Sequence, residues 1–283
     1  MNTSRRTFLK TVAVASAAAA LPPAVRAEMT KDGLFPAAPN FHTNAGASVM
    51  ISGGSITKEG KLTDAVRAAH RLHYGERKNI LLILHATEPA RRDADEQKLR
   101  EYFAEDHFNV ESLHHWEGAA ARKKIADAEA FFVSGGETFL LLRTLYESGQ
   151  LRILRERVLA GVPYNGTSAG SNIAGPNIGC TNDFPVVDVP TRQSLGLFPA
   201  VVNPHHPHTT DAEYGGRVNK IRAFCRLNPA ETVVGIGNAA VVRLHAGQVT
   251  VEHGPVFYYH GTEARELKEG PAPEFTALVK SPA

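Results

Sequence analysis

Residues 164–170 place Gly166, Ser168 and Gly170 in a Gly-x-Ser-x-Gly pattern. In α/β hydrolytic enzymes this pattern forms a nucleophile elbow, a tight strand-to-helix turn that exposes a serine hydroxyl at the carboxyl end of a strand. Glycine is needed at the flanking places because a side chain there would collide with the neighbouring strand or helix. The alternative interpretation is a glycine-rich loop in which Ser168 only caps a helix.

A serine nucleophile needs a base, and the histidine-rich segment 203–208 is the best source of one. Prolines flank its histidines and it follows an apolar stretch, 197–202, so we expect a loop at the end of a strand. A metal site is the alternative, because His205, His206 and His208 lie close together in sequence. No H-E-x-x-H spacing or paired carboxylate accompanies them, so we favour a proton relay from serine to histidine and expect no metal.

The elements that must position these residues alternate along the chain. Apolar runs predict strands near residues 48–51, 79–84, 109–113 and 129–133, with helical spacing between them and a further strand, 161–164, entering the elbow. This alternation predicts a three-layer, doubly wound α/β fold with a mainly parallel sheet. Ligands bind at the carboxyl ends of such strands, where Ser168 and Gly136 both lie. Short strands after residue 230 predict a β-rich C-terminal end.

Composition is ordinary for a globular protein of 283 residues, with 43% hydrophobic and 21% charged side chains. The first 27 residues contain four basic and no acidic side chains, so the remainder carries 27 basic against 29 acidic ones. Because this body is not basic, we expect no nucleic-acid partner.

The N-terminus predicts a signal peptide over residues 1–27, followed by a single domain over 28–283. Ser-Arg-Arg-Thr-Phe-Leu-Lys at 4–10 matches the twin-arginine pattern, and the apolar run at 11–21 is too short to span a bilayer. We therefore expect export through the twin-arginine translocation machinery to the periplasm or beyond, without a stable membrane anchor. Cys180 and Cys225 are interpreted as small buried side chains, with a disulfide, which an oxidising compartment would permit, as the alternative.

Several blocks together carry a family resemblance: Gly-Gly-Glu-Thr-Phe at 135–139, Gly-Thr-Ser-Ala-Gly at 166–170, Thr-Asn-Asp-Phe-Pro at 181–185 and Asn-Pro-His at 203–205. Over about residues 130 to 237 the chain resembles the S51 serine peptidases, the family of the aspartyl dipeptidase peptidase E and of the cyanophycinases. The resemblance implies a flavodoxin-like fold similar to class I glutamine amidotransferases, and it implies no cofactor.

The resemblance also implies site roles. Ser168 attacks the substrate carbonyl, His205 takes its proton, and the N–H groups of Gly136 and Ala169 form the oxyanion hole. Asp183 matches a family aspartate that is assigned to the charge relay. Asn238 stands where the family has a competing glutamate. An asparagine can orient a histidine but cannot balance an imidazolium, so Asp183 is the expected third member.

Two further positions concern the substrate. Glu137 replaces a family asparagine beside the oxyanion hole, where it would repel an acidic first side chain or bind the free amino group of a peptide. Arg217 matches a family arginine that could pair with a substrate carboxylate, or it is a solvated helix residue.

These observations predict a hydrolase for short peptides, including dipeptides with N-terminal aspartate. Three alternatives stay open. They are a cyanophycinase-like hydrolase, an esterase with His253 or His260 as its base, and a non-catalytic binding protein on the same fold.

Overall fold

The structure is a computed structural model and describes residues 43–279. Its strands are β1 (Val49–Ser52), β2 (Thr57–Lys58), β3 (Lys61–Leu62), β4 (Asn79–Ile83), β5 (Asn109–Ser112), β6 (Phe131–Val133), β7 (Tyr164–Thr167), β8 (Val201–Pro204), β9 (Thr232–Ile236), β10 (Val241–His245), β11 (Gln248–His253), β12 (Val256–His260), β13 (Glu263–Leu267) and β14 (Gly270–Pro271). Its helices are α1 (Asp64–Tyr74), α2 (Arg92–Ala104), α3 (Gly118–Asp127), α4 (Thr138–Glu147), α5 (Gln150–Leu159), α6 (Ala169–Ala174), α7 (Tyr214–Leu227) and α8 (Pro273–Thr276).

The main sheet has eight strands in the order β14-β11-β10-β1-β7-β6-β4-β5. Five neighbouring strands of this sheet are parallel to one another: β1, β7, β6, β4 and β5. The other three, β10, β11 and β14, pair antiparallel with their neighbours. The predicted mixed α/β fold with a mostly parallel central sheet is confirmed. Because β7 lies inside the parallel run, Ser168 leaves the sheet from a central strand and not from an edge.

A second sheet has four strands in the order β13-β12-β9-β8. Strands β8 and β9 are parallel, with Pro204 opposite Ile236. His205 follows β8 directly and Asn238 lies two residues after β9, so both emerge at the same edge of this sheet. The β-rich C-terminal end is confirmed, but its strands divide between the two sheets, which the sequence alone does not indicate.

The two sheets share one apolar core. A single cluster of buried side chains includes Ile51 of β1, Val133 of β6, Val202 of β8 and Ile236 of β9. Each fully buried aliphatic side chain contributes about 1.5–3 kcal/mol to folding. The shared core therefore fixes the carboxyl end of β7 relative to that of β8, which is what a site built across both sheets requires.

One local prediction differs from the structure, and one helix was not predicted. The strand that enters the elbow begins at Tyr164 and not at residue 161, because Gly161 turns the chain with a φ of 94° and Pro163 has no N–H to donate. The helix that follows β6, α4, ends at Glu147, just before Gly149. That residue has a φ of 66° and lies between α4 and a second helix, α5, which the sequence analysis did not predict.

Within the described range, no helix combines the length and the hydropathy needed to cross a membrane. The predicted signal segment, residues 1–27, lies outside this range.

Candidate active site

The predicted elbow is present at the end of β7. Ser168 has φ 51° and ψ −110°, a backbone conformation that residues other than glycine rarely adopt. Helix α6 begins at the next residue. A Cβ on Gly166 would lie 2.5 Å from the carbonyl oxygen of Gly170, and one on Gly170 would overlap the carbonyl oxygen of Val133. The two glycines therefore allow the strand, the helix and β6 to approach closely while Ser168 projects from the turn.

His205 meets Ser168 across the two sheets. Its Nε2 lies 2.8 Å from Ser168 Oγ, although the residues are 37 positions apart in sequence. The His205 backbone has a φ of 52°, and its N–H donates to the carbonyl oxygen of Gly53 over 2.9 Å. Gly54 leaves space for the ring, since a Cβ there would lie 2.7 Å from Nε2. The Gly53–Gly54 turn after β1 thus holds the loop that contains His205, which we call the histidine loop.

Asn238 holds the other nitrogen of the ring. Its Oδ1 lies 2.7 Å from His205 Nδ1. An amide oxygen only accepts hydrogen bonds, so Nδ1 carries the proton in this pair and Nε2 is left to accept the hydroxyl proton of Ser168. The neighbouring backbone fixes Asn238, because the Ala239 N–H donates to the carbonyl oxygen of Gly54 over 2.8 Å.

Asp183, the expected third member, makes no hydrogen bond to His205 in the part of the chain that the structure describes. Its Oδ2 accepts a hydrogen bond of 3.1 Å from the backbone N–H of Thr138, the first residue of α4. A carboxylate at this place satisfies one unpaired helix N–H and interacts favourably with the helix dipole. The physical reason for the difference is topological: the loop 181–183 packs on α4, whereas the end of β9 lies beside the end of β8.

The two expected oxyanion donors flank Ser168. Gly135 lies directly against the serine, since a Cβ on Gly135 would come within 3.0 Å of Ser168 Cβ. Gly136 follows with a φ of 132°, and a side chain there would overlap the carbonyl oxygen of Ala86. Ala169 is the first residue of α6, where a backbone N–H has no intrahelical acceptor. Both N–H groups belong to segments that the fold holds beside the serine.

Arg217 on α7 is half-buried and binds the histidine loop. Its Nη1 donates to Asn203 Oδ1 at 3.1 Å, to the carbonyl oxygen of Pro204 at 3.4 Å and to that of His205 at 3.2 Å. Burial lowers the pKa of this guanidinium from its usual value. All three acceptors belong to the loop that contains His205, whereas the two alternatives expected from the sequence were a substrate contact and a solvated helix residue. Glu137, the other expected substrate residue, lies half-exposed on the turn before α4.

The remaining histidines near the site have other partners. His206 is buried, with Nδ1 2.8 Å from the carbonyl oxygen of Pro207 and Nε2 2.7 Å from the hydroxyl of Tyr259. The late histidines that an esterase mechanism would need also point elsewhere: His253 pairs with Glu269, and His260 lies against Thr232. No other histidine among residues 43–279 has a hydrogen bond to Ser168.

Sequence reasoning missed two supporting residues. The buried Ser171 Oγ lies 2.7 Å from the carbonyl oxygens of Ser52 and Gly166, either of which can accept its one proton, and so it joins β1 to β7 beneath the elbow. Asn172 donates to Thr138 Oγ1 at 3.0 Å, which connects α6 to the start of α4. Their positions one and two residues after the Gly-x-Ser-x-Gly pattern were the available signal, because every residue of the short helix that follows the elbow is buried.

The sequence is similar to that of known proteins. The model of peptidase family S51 matches residues 48–252, and that of the twin-arginine translocation pathway signal sequence matches residues 2–22. Peptidase E of Shewanella amazonensis is 38% identical over 157 residues, which are 55% of this chain and 66% of that protein. Peptidase E of Shewanella denitrificans is 33% identical over 191 residues, 67% of this chain and 80% of that protein.

Solved structures show the same fold. A peptidase from an acI-B1 Actinobacterium matches with a TM-score of 0.61 and 16% identity, over 79% of this chain and 94% of that one. A structure described as a peptidase E protein from Listeria monocytogenes EGD-e matches with a TM-score of 0.56 and 18% identity, over 78% of this chain and 99% of that one.

Proposed function

The chain belongs to peptidase family S51, and we propose that it is a serine peptidase that hydrolyses short peptides with Ser168 as nucleophile and His205 as base. The observation that carries this proposal is the 2.8 Å hydrogen bond between Ser168 Oγ and His205 Nε2. Nucleophile and base must lie within about 2.6–3.2 Å for direct proton transfer, and a third group must orient the base.

In the proposed reaction, Ser168 Oγ attacks the peptide carbonyl carbon while His205 Nε2 takes the hydroxyl proton. The carbonyl oxygen becomes negatively charged, and the N–H groups of Gly136 and Ala169 stabilise it. The protonated His205 then donates its proton to the leaving amine. Water hydrolyses the resulting acyl-enzyme by the same route, with His205 acting as base again.

We assign the orienting role to Asn238, because its amide oxygen is the partner of His205 Nδ1. Asp183 acts on a different part of the site. It holds the Thr138 N–H, two residues after Gly136, and so positions the turn that presents one oxyanion donor. Both assignments make these groups positioning residues, since neither touches the substrate carbonyl.

The proposed substrates are short peptides that bind at Ser168, where the carboxyl ends of β7 and β8 lie. Aspartate at the first position is the preference that the resemblance implies. Two observations oppose it: Arg217 already donates to three acceptors in the histidine loop, and Glu137 adds a negative charge beside the oxyanion turn. We therefore propose short peptides with an uncharged first residue as the preferred class, and aspartyl dipeptides or cyanophycin-like polymers as the alternative.

A paired assay tests the activity. The purified protein should react with a serine-directed phosphonate and should cleave dipeptides faster than p-nitrophenyl esters. Ser168→Ala should lose both labelling and cleavage by several orders of magnitude, with an unchanged circular dichroism spectrum. Rapid ester cleavage without peptide cleavage would favour an esterase. Absence of both reactions in a folded protein would favour a binding protein.

We also propose export through the twin-arginine pathway to the periplasm. The support is the matched signal sequence over residues 2–22. Replacing Arg5 and Arg6 by lysine keeps the charge but removes the guanidinium pair that this pathway reads. Cell fractionation should then find precursor in the cytoplasm, and mature protein still reaching the periplasm would exclude this route.

A further inference from the structure

We propose that Asp93, Glu96, His114 and His115 form a binding site for a divalent cation of the zinc class, at the end of β5. This cluster has no part in the proposed peptidase reaction and does not depend on it. It would fasten the start of α2 to the loop that follows β5.

Two segments bring the four side chains together. Asp93 lies in the first turn of α2 and Glu96 directly after that turn, and His114 and His115 lie in the 3₁₀ turn Leu113–His115. One ligand atom from each side chain can be chosen so that all four lie within 4.8 Å of one another. This is the only such group of three or more side chains found between residues 43 and 279.

The separations suit a small cation after a modest adjustment. His115 Nε2 lies 2.6 Å from Glu96 Oε2, while His114 Nε2 lies 2.9 Å from Asp93 Oδ1 and 4.0 Å from Glu96 Oε2. Tetrahedral zinc with bonds of about 2.0–2.2 Å places its ligand atoms roughly 3.4 Å apart. Shifts of less than about 1 Å in side chains of the cluster bring the three measured separations to that value.

The donor set matches borderline divalent cations. Two imidazole nitrogens and two carboxylate oxygens give four ligands, which suits zinc better than magnesium or calcium, whose sites are built from oxygen. Residues that bind zinc through imidazole also need a second group that orients the ring. Ser112 provides it here, since its fully buried hydroxyl lies 2.6 Å from His114 Nδ1 and thereby directs Nε2 toward the carboxylates.

Glu96 is the strongest indication that a positive charge belongs at this place. The residue is only 6% exposed, and buried carboxylates require compensation. Arg100 pairs with Oε1 at 2.7 Å, which leaves Oε2 facing the two histidines. Asp93 adds a second negative charge, so one arginine does not neutralise the cluster when both imidazoles are neutral. Protons on the histidines are the competing way to balance it.

The position indicates a structural cation and not a catalytic one. In the sheet order β7-β6-β4-β5, three strand spacings separate the elbow strand from β5. At about 4.8 Å per spacing, the cluster lies on the order of 14 Å from Ser168. A water molecule on this cation could not reach a carbonyl group held at the serine.

Metal titration tests the proposal. Protein prepared without a histidine tag and stripped with EDTA should bind one Zn²⁺ per chain in calorimetry, and Zn²⁺ should raise its melting temperature. Co²⁺ should give the visible absorption of a tetrahedral nitrogen–oxygen site. Glu96→Gln, which preserves side-chain shape, should abolish this binding. Ser112→Ala should weaken it roughly 10- to 100-fold through loss of the ring-orienting contact.

Two more variants separate binding from folding. His115→Ala, a change at an exposed side chain, should also lose Zn²⁺, while circular dichroism should show that the metal-free variant is folded. His253→Ala removes a comparable histidine–carboxylate pair at the surface, with Glu269 2.9 Å away, and should leave the titration unchanged. The proposal is overturned if the wild type shows no saturable Zn²⁺ binding at one per chain. It is equally overturned if Glu96→Gln and His115→Ala bind Zn²⁺ as tightly as the wild type.

Discussion

The partner of the histidine is an amide in this protein. Asn238 Oδ1 fixes the Nδ1 proton of His205 through a 2.7 Å hydrogen bond, but it carries no charge to stabilise the imidazolium of the proposed reaction. Orientation and charge compensation are therefore separated here, whereas a carboxylate supplies both. The proposed mechanism must work with orientation alone at this position.

This separation predicts an ordering of variants. Asn238→Ala should lower kcat about 100-fold, because the ring loses its fixed orientation. Asn238→Asp should retain or increase activity, because the carboxylate accepts the same hydrogen bond and adds the missing charge. Steady-state kinetics on one dipeptide provide the measurement. Asp183→Asn is the matched control and should keep most of the activity, since an amide oxygen can still accept from Thr138 N–H. A more damaging Asp183→Asn would return Asp183 to the relay.

Glu137 predicts the charge preference of the substrate site. Unit charges about 4 Å apart in a solvated place interact by about 1 kcal/mol, which corresponds to roughly a fivefold change in rate. Glu137→Asn should therefore raise kcat/KM for a substrate with N-terminal aspartate by roughly this factor relative to one with N-terminal alanine. The alanine substrate is the internal control. Equal changes for both substrates would show that Glu137 does not sense the first side chain.

The elements could be predicted from the sequence to different extents. The elbow and the loop after β8 were predictable, because glycine spacing and flanking prolines are local signals. The contact between His205 and Asn238 was not, since it depends on β8 and β9 pairing in a second sheet. Asp183 is conspicuous in the sequence for its motif, yet packing of its loop on α4 directs its carboxylate to a helix N–H. Local sequence patterns therefore predict where the strands end, whereas the hydrogen-bond partners of His205 and Asp183 depend on tertiary packing.

Helix α7 contributes to the site through one side chain. Arg217 joins α7 to the end of β8 by donating to the carbonyl oxygens of Pro204 and His205. Hydrogen bonds from a charged donor contribute about 1.5–3 kcal/mol, and here they support a residue with a positive φ. The helix thus holds His205, the proposed base, in the position that meets Ser168.

Arg217→Met should accordingly lower kcat by roughly tenfold or more, while KM for an uncharged dipeptide stays nearly constant. A substrate-binding arginine would show the opposite split, with a raised KM and a smaller change in kcat. Arg222→Met on the same helix is the matched control, because Arg222 makes no hydrogen bond to the histidine loop. A large rise in KM in Arg217→Met would contradict the positioning role.

The whole molecule encloses several imidazoles that the proposed reaction does not use. Burial lowers the pKa of His70 to about 4, that of His73 to about 3 and that of His206 to about 4. The usual pKa of histidine is about 6.5, so below pH 6.5 these side chains bind protons in the unfolded chain but stay neutral in the folded one. These groups therefore do not change the free energy of unfolding above pH 6.5, and they lower it as the pH falls toward 4.

His70 allows this effect to be isolated. It packs inside the fold with its ring stacked on Phe103, and the nearby charges of Asp106 and Arg71 act on its pKa in opposite directions, raising and lowering it respectively. Each such group adds a slope of about 1.4 kcal/mol per pH unit to the free energy of unfolding in the window between its two pKa values.

His70→Leu should remove about one such slope between pH 6 and pH 4.5, the range that lies inside this window. Urea denaturation in EDTA at several pH values measures it. Val66→Ala, a buried apolar change on the same helix, should lower stability equally at every pH. If His70→Leu kept the wild-type slope, the buried imidazole would not be a source of acid sensitivity.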